Sequence, residues 1–68
     1  MNRIPVKSSN VESVGYENGT LEVKFLNGRL YQYHNVPESV HKTLMSGVSV
    51  GTYLAKNVCG KYHKTRIC

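Results

Sequence analysis

An α+β fold is what these 68 residues predict: a three-stranded antiparallel β-meander, then two short helices, then a basic C-terminal tail or edge strand. Three observations carry the prediction. Two Asn-Gly pairs, Asn18-Gly19 and Asn27-Gly28, separate runs in which apolar and polar residues alternate. After Asn35 the apolar spacing lengthens from two to about 3.6 residues, the change from strand to helix. Gly47 and Gly60 then punctuate the helical region as breaks.

Taken in order, the first strand is Val11 to Glu17 and the second is Thr20 to Phe25, with Asn18-Gly19 between them. Asn and Gly tolerate positive φ, so such a pair between alternating runs is a strong hairpin signal. Arg29 to Tyr33 forms the third strand. Two turns are open at Asn27-Gly28. A two-residue loop would set Phe25 opposite Leu30 and turn Tyr31 and Tyr33 outward beside Glu22 and Lys24. A three-residue loop, Leu26-Asn27-Gly28 with a glycine bulge, would instead set Phe25 opposite Arg29, Val23 opposite Tyr31 and Leu21 opposite Tyr33. The second is favoured, because exposing two of six aromatic rings would starve so small a core.

Asn35-Val36-Pro37-Glu38 resembles a helix start, with Asn35 as cap, Pro37 in the first turn and Glu38 near the positive helix end. This helix should run to about Ser46 with Val36, Val40 and Leu44 facing the sheet. After Gly47, Ser49 offers a second cap, and Val50, Tyr53, Leu54, Asn57 and Val58 fall on one helical face before Gly60. Residues 61–68 read equally as a frayed arm or an edge strand.

Length allows one domain, residues 1–68, with a single core. No run approaches the roughly 20 apolar residues of a membrane span, and Met1-Asn2-Arg3-Ile4-Pro5 leads into no secretory apolar segment, so the cytosol is the expected compartment. Cys59 and Cys68 are the two cysteines and read as free thiols rather than a disulfide framework. Charge is placed unevenly. Residues 1–38 balance Arg3, Lys7, Lys24 and Arg29 against Glu12, Glu17, Glu22 and Glu38, whereas residues 39–68 hold Lys42, Lys56, Lys61, Lys64, Arg66 and no acid. The whole formal charge of +5 therefore lies in the second half, which suits a polyanionic partner or else a solvated basic face.

Within that half, Lys56, Lys61, Lys64 and Arg66 are the candidate nucleic-acid contacts, with the rings of Tyr62 and His63 interleaved as in single-strand binders. A metal centre is not expected. Cys59-x3-His63-x4-Cys68 lacks the paired short spacing of zinc sites, and His34 and His41 read as surface residues. Nor is an enzyme expected, since there is no Asp and the four Glu residues lie in separate elements. Cys59 with His63 has no third group to orient it.

Ser8-Ser9-Asn10, Gly15-Tyr16, Phe25-x-x-Gly28-x-x-Tyr31-x-Tyr33, Val36-Pro37 and Ser49-x-Gly51-x-Tyr53, taken as an ordered set, resemble the KTSC domain family. That family is named for the C-terminus of some lysyl-tRNA synthetases and also occurs as stand-alone bacterial and phage proteins. The resemblance covers about residues 7–66. It brings no catalytic residues and implies RNA binding only through the synthetase context. Tyr31, Tyr33, Ser49, Gly51 and Tyr53 are family positions read as structural, although Tyr31 and Tyr33 could form a stacking platform if exposed. Gly15, Ser49 and Gly51 read first as a tight turn and a helix cap, and second as a backbone-lined anion site. The functional expectation is a small non-enzymatic module without cofactor that binds nucleic acid, most directly RNA. The alternative is a protein-interaction module docking through a strand edge or helical face.

Overall fold

A computed structural model describes residues 2–67. Five strands form one antiparallel sheet in chain order: β1 (Ile4–Pro5), β2 (Val11–Glu17), β3 (Thr20–Phe25), β4 (Leu30–Tyr33) and β5 (Lys64–Arg66). Helices α1 (Glu38–Leu44) and α2 (Val50–Asn57) lie between β4 and β5 in the chain. The expected three-stranded meander is thus the centre of a wider sheet. β1 pairs with β2 through Ile4 opposite Val14, and the tail pairs with β4 through Arg66 opposite Tyr31. Neither edge strand announces itself locally. One has two residues including a proline, and the other is Lys-Thr-Arg with no apolar alternation.

Both hairpins follow from positive φ. Asn18 and Gly19 have φ of 50° and 80°, so a two-residue primed turn joins β2 to β3. At the second turn only Gly28 is left-handed, at φ 92°. The Phe25 amide donates to the Arg29 carbonyl at 2.8 Å and the Gly28 amide to the Phe25 carbonyl at 3.0 Å. This is the three-residue loop, and it sets Val23 opposite Tyr31 and Leu21 opposite Tyr33. Val14, Leu21, Val23 and Tyr33 consequently share a buried face, while Tyr31 is half-buried nearer the edge. A bulge between Val11 and Ser13 shifts the β2–β3 register. That extra residue lets Val11 and Val14, three apart, both face inward where simple alternation would turn one of them out.

The helical layer closes this face through Val36, Leu44, Val50, Leu54 and Val58, with Val40 and Tyr53 packed partly against it. Capping differs from the sequence expectation. Asn35 does not cap α1 but takes φ 57° in the turn before it, and Pro37 occupies the N-cap position. The Tyr16 hydroxyl and the Val36 amide anchor this turn instead. The hydroxyl donates to the Val36 carbonyl at 2.5 Å, and the amide donates to the Gly19 carbonyl at 2.8 Å. α1 ends at Leu44, two residues early, with Gly47 at φ 102° beyond it. Ser49 does occupy the N-cap position of α2, but its hydroxyl donates to Thr52 Oγ1 and caps no backbone amide. No helix among the described residues is long and apolar enough to cross a membrane.

The opposite sheet face carries a polar cluster. Glu22 accepts from Arg3 Nη1 at 2.5 Å and from Gln32 Nε2 at 2.9 Å, and Arg3 Nε donates to Ser13 Oγ at 3.2 Å. Both carboxylate oxygens are satisfied, which lets Glu22 be buried on a face that no helix covers. The Gln32 hydrogen bond, followed by Arg3, holds its carboxyl below the ordinary range against the opposing effect of burial.

Two measurements test this architecture. Leu54→Ala should cost roughly 2–5 kcal/mol in denaturant unfolding, because Leu54 is fully enclosed and its loss leaves a cavity. A lowered carboxyl contributes stability that is present above the unfolded value of 4.5 and lost as pH falls through the folded one. The melting temperature should therefore drop below pH 4.5, and Glu22→Gln should make that drop shallower.

Candidate functional site

Residues two apart on a strand share a face, so the turn that brings Tyr31 inward also brings Arg29 to the same side. Tyr31 packs edge-on against Phe25, with centroids 5.7 Å apart and planes at 79°. β5 then adds charge from the neighbouring strand. Lys64 and Arg66 stand opposite Tyr33 and Tyr31, and the Lys64 ammonium lies 5.0 Å from the Tyr31 ring centroid, within cation–π range. A hydrogen bond from Arg29, reinforced by the charges of Arg29, Arg66 and Lys64, holds the Tyr31 phenol below its ordinary range despite partial burial. Arg29, Lys64 and Arg66 are thus gathered near one half-buried tyrosine at the β4–β5 edge.

The other expected contacts divide among separate environments. Lys56 is exposed in the last turn of α2. Lys61 sits 5.7 Å from the centroid of Tyr62, whose ring packs partly against the core and so has less free face than its place in the sequence suggested. His63 and His34 have centroids 5.8 Å apart, and His34 Nε2 is 2.9 Å from Thr65 Oγ1. Of the six residues expected from sequence, Lys64 and Arg66 are the two gathered with Tyr31. Arg29 was missed there because it lies in the electrically balanced first half, although its alternation with Tyr31 was readable.

A cleft of about 620 Å³ opens next to this cluster. Phe25, Leu26 and Leu54 supply apolar walls, and Ser9, Asn10 and Asn27 supply polar groups. Ser8 builds one rim by accepting from the Asn10 and Val11 amides, both at 3.2 Å. That turn carries Ser8 Oγ and Asn10 Nδ2 to 3.6 Å from where a Cβ on Gly51 would lie. Gly51 is therefore a helical residue in ordinary contact with this turn, and Gly15 is a strand residue opposite Glu22. Neither forms the tight turn expected of it. The family positions Ser8, Asn10, Phe25 and Gly51, far apart in the chain, converge at or beside this cleft.

Cys59 also borders the cleft, with its sulfur 3.3 Å from the Tyr33 hydroxyl. Burial, followed by the bond to Cys59, raises the Tyr33 phenol well above its ordinary range. Among the described residues no group of three or more His, Cys, Asp or Glu side chains is placed to hold a metal ion, and Cys68 lies outside them.

The family model of the KTSC domain matches residues 7–62. A crystal structure of a KTSC domain protein from Yersinia pestis superposes with a TM-score of 0.90 at 40% identity, covering 98% of this chain and 97% of that one. An uncharacterised protein of Stutzerimonas stutzeri (strain A1501) is 40% identical over 55 residues, 78% of each chain.

The raised Tyr33 phenol has a measurable consequence. A phenol that keeps its proton in the fold, while the unfolded chain ionises near 10.0, contributes stability that is full below that value and lost as pH rises through it. Thermal melts above pH 10 should show stability falling with pH, with a smaller fall in Tyr33→Phe than in the native chain.

Proposed function

The chain belongs to the KTSC domain family, and we propose that it is a small non-enzymatic module that binds single-stranded nucleic acid, RNA first, through the β4–β5 edge. The observation that carries this reading is the strand pairing that sets Arg66 opposite Tyr31 and the Lys64 ammonium 5.0 Å from its ring, with Arg29 two residues before Tyr31 on the same side. Phosphates supply most of the non-specific affinity for a basic protein, and an aromatic ring beside them gives a base something to stack on. The reading keeps Lys64 and Arg66 from the basic tail and adds Arg29 and Tyr31. Lys56, Lys61, Tyr62 and His63 become flanking residues. It is a cytosolic role that needs no metal or cofactor.

Docking of another polypeptide by strand addition is the weaker alternative. β5 has three residues, two of them cationic, and short charged edges are how sheets avoid such pairing.

Neutralising about three phosphates of a single strand gives a log–log salt slope of about −2. Fluorescence anisotropy with a labelled oligoribonucleotide should return that slope with affinity no tighter than micromolar. Replacing Arg29, Lys64 and Arg66 together by Ala should flatten the slope by about 2 while the protein still melts cooperatively. Absence of binding at low salt and tens of micromolar protein, an amount on the scale of non-specific affinities, would sink the proposal.

A further inference from the structure

We propose that the cleft beside the cationic cluster seats one unstacked nucleobase of the bound strand, an inference that rests on the nucleic-acid reading above. The argument begins with adjacency. Phe25 is both a wall of the cleft and the edge-on partner of Tyr31, so one side chain joins the cleft to the three cations. A strand whose phosphates lie on Arg29, Lys64 and Arg66 therefore has its bases within reach of the opening.

The lining matches the chemistry of a base. A nucleobase presents flat apolar faces and an edge of donors and acceptors. Phe25 and Leu26 offer apolar surface over the enclosed Leu54, and Leu26 is 56% exposed at the tip of its hairpin, an apolar side chain that folding left uncovered. Asn10 and Asn27 carry amides that can both donate and accept, as recognition of a base edge requires. The Asn10 side-chain amide makes no hydrogen bond to another described residue, while Asn27 Oδ1 accepts from the Arg29 backbone amide at 3.0 Å and ties this wall to the first of the cations.

Charge also fits. None of the four glutamates lines the cleft, and Glu12 and Glu22 are engaged with Lys24 and Arg3. At about 620 Å³ the space is of the size that small ligands occupy.

The test compares a labelled oligouridylate and oligoadenylate with the abasic oligomer of the same backbone, by anisotropy at one salt concentration and across a salt series. Base-bearing oligomers should bind about tenfold more tightly than the abasic one, with the same salt slope, because stacking adds affinity without changing the phosphate count. Ala55→Leu places a larger side chain into the cleft from an exposed helical position. It should remove that advantage and leave abasic binding and the melting temperature unchanged. In NMR spectra, the Asn10 and Asn27 side-chain amides should shift with base-bearing oligomers and stay still with the abasic one. Equal binding of abasic and base-bearing oligomers, or an Ala55→Leu variant that binds both like the native chain, would overturn the base site and leave the electrostatic reading intact. No binding of any oligomer would overturn both.

Discussion

The left-handed backbone at Gly28 is the constraint on which the rest of the molecule depends. It makes the second hairpin a three-residue turn, and a turn one residue shorter would move every side chain of β4 to the other face. Tyr33 would then leave the position where it is fully enclosed in the core opposite Leu21, and Leu30 and Gln32 would take the inner face. Gln32 would also be lost to Glu22, leaving a buried carboxylate oxygen without its donor. One backbone angle thus decides both the apolar core on one side of the sheet and the polar cluster on the other.

The same register creates the candidate site. With Tyr33 enclosed, Tyr31 falls two residues nearer the start of β4, where the helical layer covers it only in part. β5 closes on that strand and delivers Lys64 and Arg66 from more than thirty positions away. The bulge in β2 and the Ser8 turn shape the neighbouring cleft by bringing Asn10 toward α2. Core formation and site formation are therefore consequences of one pairing pattern, and the aromatic rings serve both.

Much of this was legible in the residues. Two Asn-Gly pairs between alternating runs specified the hairpins, and the enclosure of Tyr33 followed from the limited apolar stock of a short chain. Apolar spacing likewise marked Val36, Leu44, Val50, Leu54 and Val58 as core, because a helix must turn such a stripe toward the sheet. The ordered family positions pointed to the KTSC domain, and the charge asymmetry pointed to the basic tail. The turn and helix signals are local, carried by residues within a few positions of one another, and the family positions and the charge asymmetry are read from order along the chain without any pairing.

What only the tertiary structure decided is pairing between distant segments. Asn35 does not cap α1 because tertiary hydrogen bonds, from the Tyr16 hydroxyl to the Val36 carbonyl and from the Val36 amide to the Gly19 carbonyl, hold the entry to the helix in place of the capping side chain that local sequence suggested. Edge strands β1 and β5 carry no alternation of their own, since a strand at the rim of a sheet need bury nothing and its backbone partner alone specifies it. The site residues divided for the same reason. Sequence grouped Lys56, Lys61, Tyr62, His63, Lys64 and Arg66 by nearness in the chain, whereas strand pairing grouped Lys64 and Arg66 with Arg29 and Tyr31 across the sheet. Composition determined that the protein would be small, basic in its second half and built on a hairpin core; which cations meet which ring was determined by register, a property of two strands together.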